Sequence, residues 1–199
     1  MLALSHLVKD KDELKLGDHV QIKYVSRITS YQLSNPSSRC LATPCHTQDS
    51  ICFYVTDSSS PDHPGAVFTG DTLFIAGCGR FFEGTGSEML AALEYLASLP
   101  DKTLVFNGHE YTRDSLAFAK HIDPTNAALA TLEEVVTNNE MTTGITTIGN
   151  EKEWNVFMRL HTSAVRFVTV SIHRQVSHWL LEIPCPRLTA HQRVPSWIC

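Results

Sequence analysis

The spacing of apolar residues in this chain switches between a strand pattern and a helix pattern, and this switching limits the possible folds more than any other feature. Short apolar runs typical of strands occupy residues 51–56 and 66–69. From Thr85 the apolar residues recur every three or four positions until Pro100, which is a helical period. A strand-like run returns at 103–106. Strands and helices that alternate in this way predict a layered α/β or α+β domain.

The positions of several elements can also be predicted. Thr85 and Glu88 form a T-x-x-E capping box, which predicts where the first helix begins. Two more helices are predicted at about 113–121 and 126–138. A turn followed by a short alternating strand is predicted at 15–22. The apolar stripes of the helices are most simply the faces that pack on a core.

Composition excludes several classes of protein. The 199 residues suffice for one domain, and 43% hydrophobic with 19% charged residues excludes disorder across the whole chain. No apolar run approaches the roughly 20 residues that span a bilayer, so no membrane partner is expected. The net charge of −5 argues against nucleic acid as the main partner. The six cysteines follow neither a metal-pair nor a disulfide-framework spacing, which favours reduced thiols in a reducing compartment.

Three short segments place a side chain that can bind a metal after a strand-like run or a tight loop. They are TPCHT at 43–47, FTGDT at 68–72 and NGHEY at 107–111. Neutral imidazoles suit zinc or ferrous iron, and a carboxylate can bridge two cations. Each segment alone is more often a surface loop or an Asx-turn. By themselves, therefore, these patterns define only an α/β domain.

Taken together, the segments resemble a known family. The ordered blocks CLATPCHTQDSICFYV, AVFTGDTLFIAGCGRFFEGT and GHEYT, followed by IGNEKEWNVFMRL from residue 148, are similar to the hydroxyacylglutathione hydrolases (glyoxalase II) of the metallo-β-lactamase superfamily. The resemblance is loose over 12–23 and good over 40–160. It implies a partial αββα sandwich that lacks its first strands, with a helical C-terminal segment.

The resemblance also implies an activity and a site. The activity is hydrolysis of S-D-lactoylglutathione to D-lactate and glutathione by a water held between two divalent metal ions, which would be zinc, iron or manganese. His46 would bind the first ion, His109 the second, and Asp71 both, so these three are the expected catalytic and metal-binding residues. The resemblance implies contacts with the glutathione moiety from a second set: Arg80, Phe82 and Tyr111. Phe82 stands where many members have a tyrosine.

The expected partner is thus a small glutathione thioester, and the expected compartment is the cytoplasm, or the mitochondrion for a full-length family member. The family's T-H-x-H-x-D-H motif does not occur in this chain. Two ligands of each metal are therefore missing, and we expect an N-terminally truncated chain with weak or no turnover. The alternatives are a non-catalytic regulatory homologue and a truncated product without function. Less favoured alternatives are another hydrolase of the same fold and a persulfide dioxygenase; persulfide dioxygenases share T-G-D and G-C-G-R and diverge after these blocks.

Two stretches depart from the family. Residues 24–39 contain five Ser, no Gly and no acidic residue, and removing them restores the family's order; we interpret them as a translated intron or a similar insertion. Residues 161–199 carry four Arg and one Glu, against 12 basic and 20 acidic residues before them. The predicted organisation is a metallo-β-lactamase part at 1–122, the start of the helical segment at 123–160, and a divergent, poorly ordered tail at 161–199.

Overall fold

The computed structural model describes residues 13–16, 20–23, 40–57, 59 and 62–165. Its strands are β1 (Glu13–Leu16), β2 (Val20–Lys23), β3 (Cys40–Ala42), β4 (Ile51–Asp57), β5 (Ala66–Gly70), β6 (Leu73–Phe74), β7 (Gly77–Cys78) and β8 (Leu104–Asn107). Its helices are α1 (Gly86–Ala97), α2 (Thr112–Ile122), α3 (Ala128–Asn138) and α4 (Ile148–Trp154), followed by a 3-10 turn at Val156–Met158. Within this part of the chain, no helix has both the length and the apolar character needed to cross a bilayer.

The predicted capping box forms at the start of α1. The Thr85 hydroxyl accepts a hydrogen bond from the backbone N–H of Glu88, and the Glu88 carboxylate accepts one from the N–H of Thr85. The strands predicted at 51–56, 66–69 and 103–106 are confirmed to within one residue at each end by β4, β5 and β8. The helices α2 and α3 lie within two residues of their predicted positions. The mixed α/β architecture is therefore confirmed.

The directions of the strands determine where the loops emerge. In the described part of the chain, six strands form one sheet in the order β1-β2-β4-β5-β8, and β3 also pairs with β4. The pairing of β5 with β8 is parallel, and the other pairings in the sheet are antiparallel. Since β3 and β5 are both antiparallel to β4, the strands β3, β5 and β8 run the same way. Their carboxyl ends therefore lie at one edge of the sheet.

The strands β2 and β3 lie end to end along the same side of β4. Ile22 pairs with Val55, and Cys40 pairs with Phe53, so only Tyr54 separates the two pairings on β4. Lys23, the last residue of β2, continues toward that position. The register of β2 thus runs into that of β3 as in one continuous strand. Residues 24–39 themselves lie outside the described residues, and so does most of the predicted tail (166–199); both predictions, like the domain boundaries, remain predictions.

The core lies between the sheet and the helices. Alternate residues of β4, β5 and β8 are buried on one face, and they form a single cluster with apolar residues of all four described helices. On the other face, Phe68 stacks on Phe106 with ring centroids 5.0 Å apart and stays 44% exposed. The described part is therefore a sheet with its helical layer on one face.

Three described cysteines, Cys45, Cys52 and Cys78, are buried free thiols, as the sequence predicted. Burial raises the pKa of the Cys52 thiol to about 11. The same cause raises the pKa of Cys45 and Cys78. These thiols are therefore protonated at neutral pH and act as small apolar core residues.

Candidate metal and substrate site

Three strand ends bring the predicted metal-binding residues together. His46 follows β3, Asp71 follows β5 and His109 follows β8, and these strands share a direction. Gly70 has a φ of +49°, a left-handed conformation that turns the chain directly after β5. The N–H of Gly108 donates to the carbonyl of Gly70 at 2.9 Å, which joins the ends of β5 and β8.

The carboxylate of Asp71 lies between the two imidazoles. Nε2 of His46 is 3.4 Å from Oδ2 of Asp71, and Nε2 of His109 is 3.4 Å from Oδ1 of the same side chain. Each oxygen thus faces one imidazole, an arrangement that suits a bridging carboxylate. The His109 side chain is 53% exposed, so this end of the site is open to a small molecule.

The ring of His46 is held in one orientation by a backbone carbonyl. Its Nδ1 lies 2.9 Å from the carbonyl oxygen of Arg80. Because a carbonyl can only accept, Nδ1 carries the hydrogen. In the neutral imidazole, the Nε2 lone pair then faces the carboxylate oxygen of Asp71. Such a contact is favourable only with a cation or a proton between the two atoms, and metal-binding histidines are commonly oriented in this way.

The predicted substrate residues flank this group on both sides. The guanidinium of Arg80 lies 5.3 Å from the ring centroid of Phe82, and Phe82 meets His46 edge-on at 5.0 Å. The ring of Tyr111 stacks on His109 with centroids 5.3 Å apart. Phe82 is 64% exposed and Tyr111 36% exposed. The sequence-predicted residues therefore lie in one continuous surface that centres on Asp71.

A pair of threonines, which sequence reasoning missed, ties the His46 loop to the Asp71 turn. The hydroxyls of Thr43 and Thr72 lie 2.8 Å apart, and both side chains are buried. The sequence feature that could have indicated them is that Thr43 begins the T-P-C-H segment and Thr72 ends the G-D-T segment. This hydrogen bond fixes the relative position of the two loops.

Glu110 is a second residue that was missed, although it stands between His109 and Tyr111. Its carboxylate accepts hydrogen bonds from the N–H of Thr142 at 2.6 Å and from the hydroxyl of Thr112. Burial alone would raise the pKa of Glu110, but the hydrogen bonds from these threonines outweigh it and hold the pKa below its ordinary value. The residue thereby anchors the H-E-Y-T segment to the loop before α4.

The donor set suits divalent metal ions in kind. The described residues offer one imidazole nitrogen and one carboxylate oxygen on each side of Asp71, which are ligands that zinc and iron accept. Nowhere in the described ranges do three or more His, Cys, Asp or Glu side chains converge on one ion position. Protein zinc sites use about three or four ligands, so the described residues fall short of a complete zinc site on either side of Asp71.

The family model and the sequence relatives that match this chain all carry the name hydroxyacylglutathione hydrolase. The family model "Hydroxyacylglutathione hydrolase C-terminus" matches residues 110–180, which extends into the tail predicted to diverge. A probable hydroxyacylglutathione hydrolase of Schizosaccharomyces pombe is 47% identical over 159 residues, which cover 79% of this chain and 53% of the relative. Two hydroxyacylglutathione hydrolases of Saccharomyces cerevisiae, a cytoplasmic isozyme and a mitochondrial one, are 48% and 42% identical and cover 64% and 70% of the chain.

A solved metallo-β-lactamase from Staphylococcus aureus covers 91% of this chain and 40% of its own, at 20% identity and a TM-score of 0.49. The assignment rests on the sequence relatives. They show that the chain belongs to the hydroxyacylglutathione hydrolase, or glyoxalase II, family. It spans about half the length of these curated relatives, 53% of the S. pombe protein and 49% of the cytoplasmic yeast isozyme.

Proposed function

We propose that this chain carries part of the metal and substrate site of a glutathione thioester hydrolase, which converts S-D-lactoylglutathione and water to D-lactate and glutathione. The observation that carries the proposal is the Asp71 carboxylate, which has one imidazole Nε2 at 3.4 Å from each of its oxygens. His46 and Asp71 would hold one divalent ion, and Asp71 and His109 the other. When bound, such ions supply a water of lowered pKa as the nucleophile.

The chain's own residues bind and orient the thioester in this proposal. Arg80 offers a positive charge to a carboxylate of the glutathione moiety. Phe82 and Tyr111 offer exposed ring faces on either side of the reacting centre. The peptide-like part of the substrate would lie across this surface, and the acyl group would lie at Asp71.

The incomplete donor set favours a second reading, in which the chain binds metal or thioester without turnover. Each side of Asp71 has a single imidazole among the described residues, so we expect turnover to be weak or absent in this chain. The metal would be zinc, iron or manganese. For the compartment we propose the cytoplasm, in line with the name of the cytoplasmic yeast isozyme, with the mitochondrion as the alternative.

The test combines zinc binding with hydrolysis of S-D-lactoylglutathione by the purified 199-residue protein. Asp71→Asn should weaken zinc binding more than His46→Ala or His109→Ala, because both sides of the site lose the carboxylate. His121→Ala is the matched control, since His121 is exposed on α2 and should have no effect. Equal zinc affinity in the wild type and in Asp71→Asn would refute the site. Rapid turnover by the wild type would refute the expectation of weak activity.

A further inference from the structure

The chain between Asp71 and Gly79 folds into a buried hairpin. Its strands, β6 and β7, pair with Phe74 opposite Gly77, and the turn includes Ala76 in a left-handed conformation with φ of 58°. Every residue from 73 to 78 is buried. Polar backbone groups that are buried in a turn need hydrogen-bond partners, because no water can satisfy them.

The partners are Glu151 in α4 and Asn155 directly after it, more than seventy residues later in the chain. A carboxylate oxygen of Glu151 accepts a hydrogen bond from the N–H of Ala76 at 2.8 Å. The side-chain amide of Asn155 donates to the carbonyl of Gly77 at 3.0 Å. Glu151 and Asn155 are both 0% exposed. The hairpin beside Asp71 is thus held by two buried polar side chains.

Both oxygens of Glu151 are in use as acceptors. Oε1 accepts from the indole N–H of Trp154 at 2.9 Å, and Oε2 accepts from the amide of Asn155 at 2.9 Å as well as from Ala76. A glutamine at position 151 would turn its NH₂ group toward a donor in either orientation of the amide. Glutamine can therefore accept fewer of these three hydrogen bonds than the ionised carboxylate.

The hairpin presents Phe74 to the functional site. Phe74 is 4% exposed, and its ring meets Tyr111 edge-on at 5.2 Å and His109 at 6.2 Å. We propose that Glu151 and Asn155 are positioning residues that hold the hairpin and, through Phe74, set the rings of His109 and Tyr111. This inference goes beyond the proposed function and rests on it only for the role of those two rings.

The test measures the aromatic and imidazole NMR signals of the full chain without metal or substrate. Glu151→Gln should shift the ring signals of His109 and Tyr111. Glu153→Gln, the same change at an exposed position of the same helix, should leave them in place. A fall in thermal stability with unchanged His109 and Tyr111 signals would mean that Glu151 is merely structural, and would overturn the proposal.

A second variant keeps the proposal testable if Glu151→Gln does not fold. Phe74→Leu leaves Glu151 and its hydrogen bonds in place and should shift the same two ring signals; unchanged signals would overturn the proposal. In addition, Glu151→Gln should weaken zinc binding by about tenfold, the lower range for loss of a group that orients metal ligands. If the wild type fails to bind zinc, the proposed function fails, while the NMR result still decides the positioning role.

Discussion

The backbone of Gly79 passes so close to Asp71 that a Cβ atom at position 79 would lie 1.7 Å from the carbonyl oxygen of Asp71. The same atom would lie 3.3 Å from Nδ1 of His46. The N–H of Gly79 also donates to the carbonyl of Thr72 at 3.1 Å, which closes the hairpin next to Asp71. Position 79 is therefore restricted to glycine by the backbone of the site.

Replacing Gly79 with alanine should displace the Asp71 turn. The overlap is with backbone and not with a flexible side chain, so we expect a loss of about 1–3 kcal/mol in the free energy of unfolding, typical of overpacking. Gly86→Ala is the control, because the nearest atom to a Cβ at position 86 is 3.8 Å away. Denaturant unfolding checks both variants. Equal stability of the two would contradict the close approach.

Glu110 should make stability depend on acid. Its pKa is below its ordinary value in the folded protein, because the hydrogen bonds from Thr112 and Thr142 outweigh its burial. Its contribution to stability is thus present above the ordinary pKa of 4.5 and is lost as the pH falls through the folded value. Glu110→Gln should remove this part of the acid dependence, whereas the exposed Glu134→Gln should retain it. Urea unfolding between pH 3 and 7 would show the difference.

Glu151 should make stability depend on pH in the opposite direction to Glu110. Burial outweighs the hydrogen bonds from Asn155, Trp154 and Ala76, and raises the pKa of the carboxyl to about 7 from an ordinary 4.5. Its contribution to stability is therefore full below pH 4.5 and is lost as the pH rises toward 7. The difference in unfolding free energy between the wild type and Glu151→Gln should shrink over this interval. A difference that grows with pH would show that the pKa is lowered instead.

We propose that residues 24–39 interrupt a single strand, and deletion tests this. Joining Lys23 to Cys40 preserves the consecutive pairing with β4, so the shortened protein should fold with equal or higher stability. The control deletes 24–40 and so removes one residue more. That change shifts β3 by one position and turns its side chains to the opposite faces, which should lower the melting temperature. Similar melting temperatures for both deletions would contradict the continuous strand.

The local part of the fold was predictable because local chemistry determines it. The Thr85–Glu88 box marks the start of α1, and short apolar runs mark β4 and β5, with no help from distant residues. The hairpin at 73–78 was not predicted, since its strands have two residues each and depend on the distant side chains of Glu151 and Asn155. The burial of Glu151 was not predicted either, because it depends on the same contact between α4 and the hairpin.

His46, Asp71 and His109 lie close together because each follows a strand that runs in the same direction. The direction of a strand depends on the whole sheet and cannot be read from any one of the three segments. The resemblance to the family predicted His46, Asp71 and His109 as one group. It did not predict the hydrogen bonds of Glu110 or the Thr43–Thr72 hydrogen bond, which hold the loops that carry those residues. Such supporting contacts depend on how the loops pack, and residue spacing contains little information about packing.

Because Asp71 lies between two imidazoles, its single negative charge would attract a cation at the His46 side and a cation at the His109 side. A cation held at the His46 side would neutralise part of that charge and weaken the attraction for a second cation at the His109 side, and the reverse holds by the same amount. The two sides are thus thermodynamically linked. Successive ions would bind with unequal affinities. A substitution of either histidine would also change the affinity for an ion at the other histidine, because both sides share the Asp71 carboxylate.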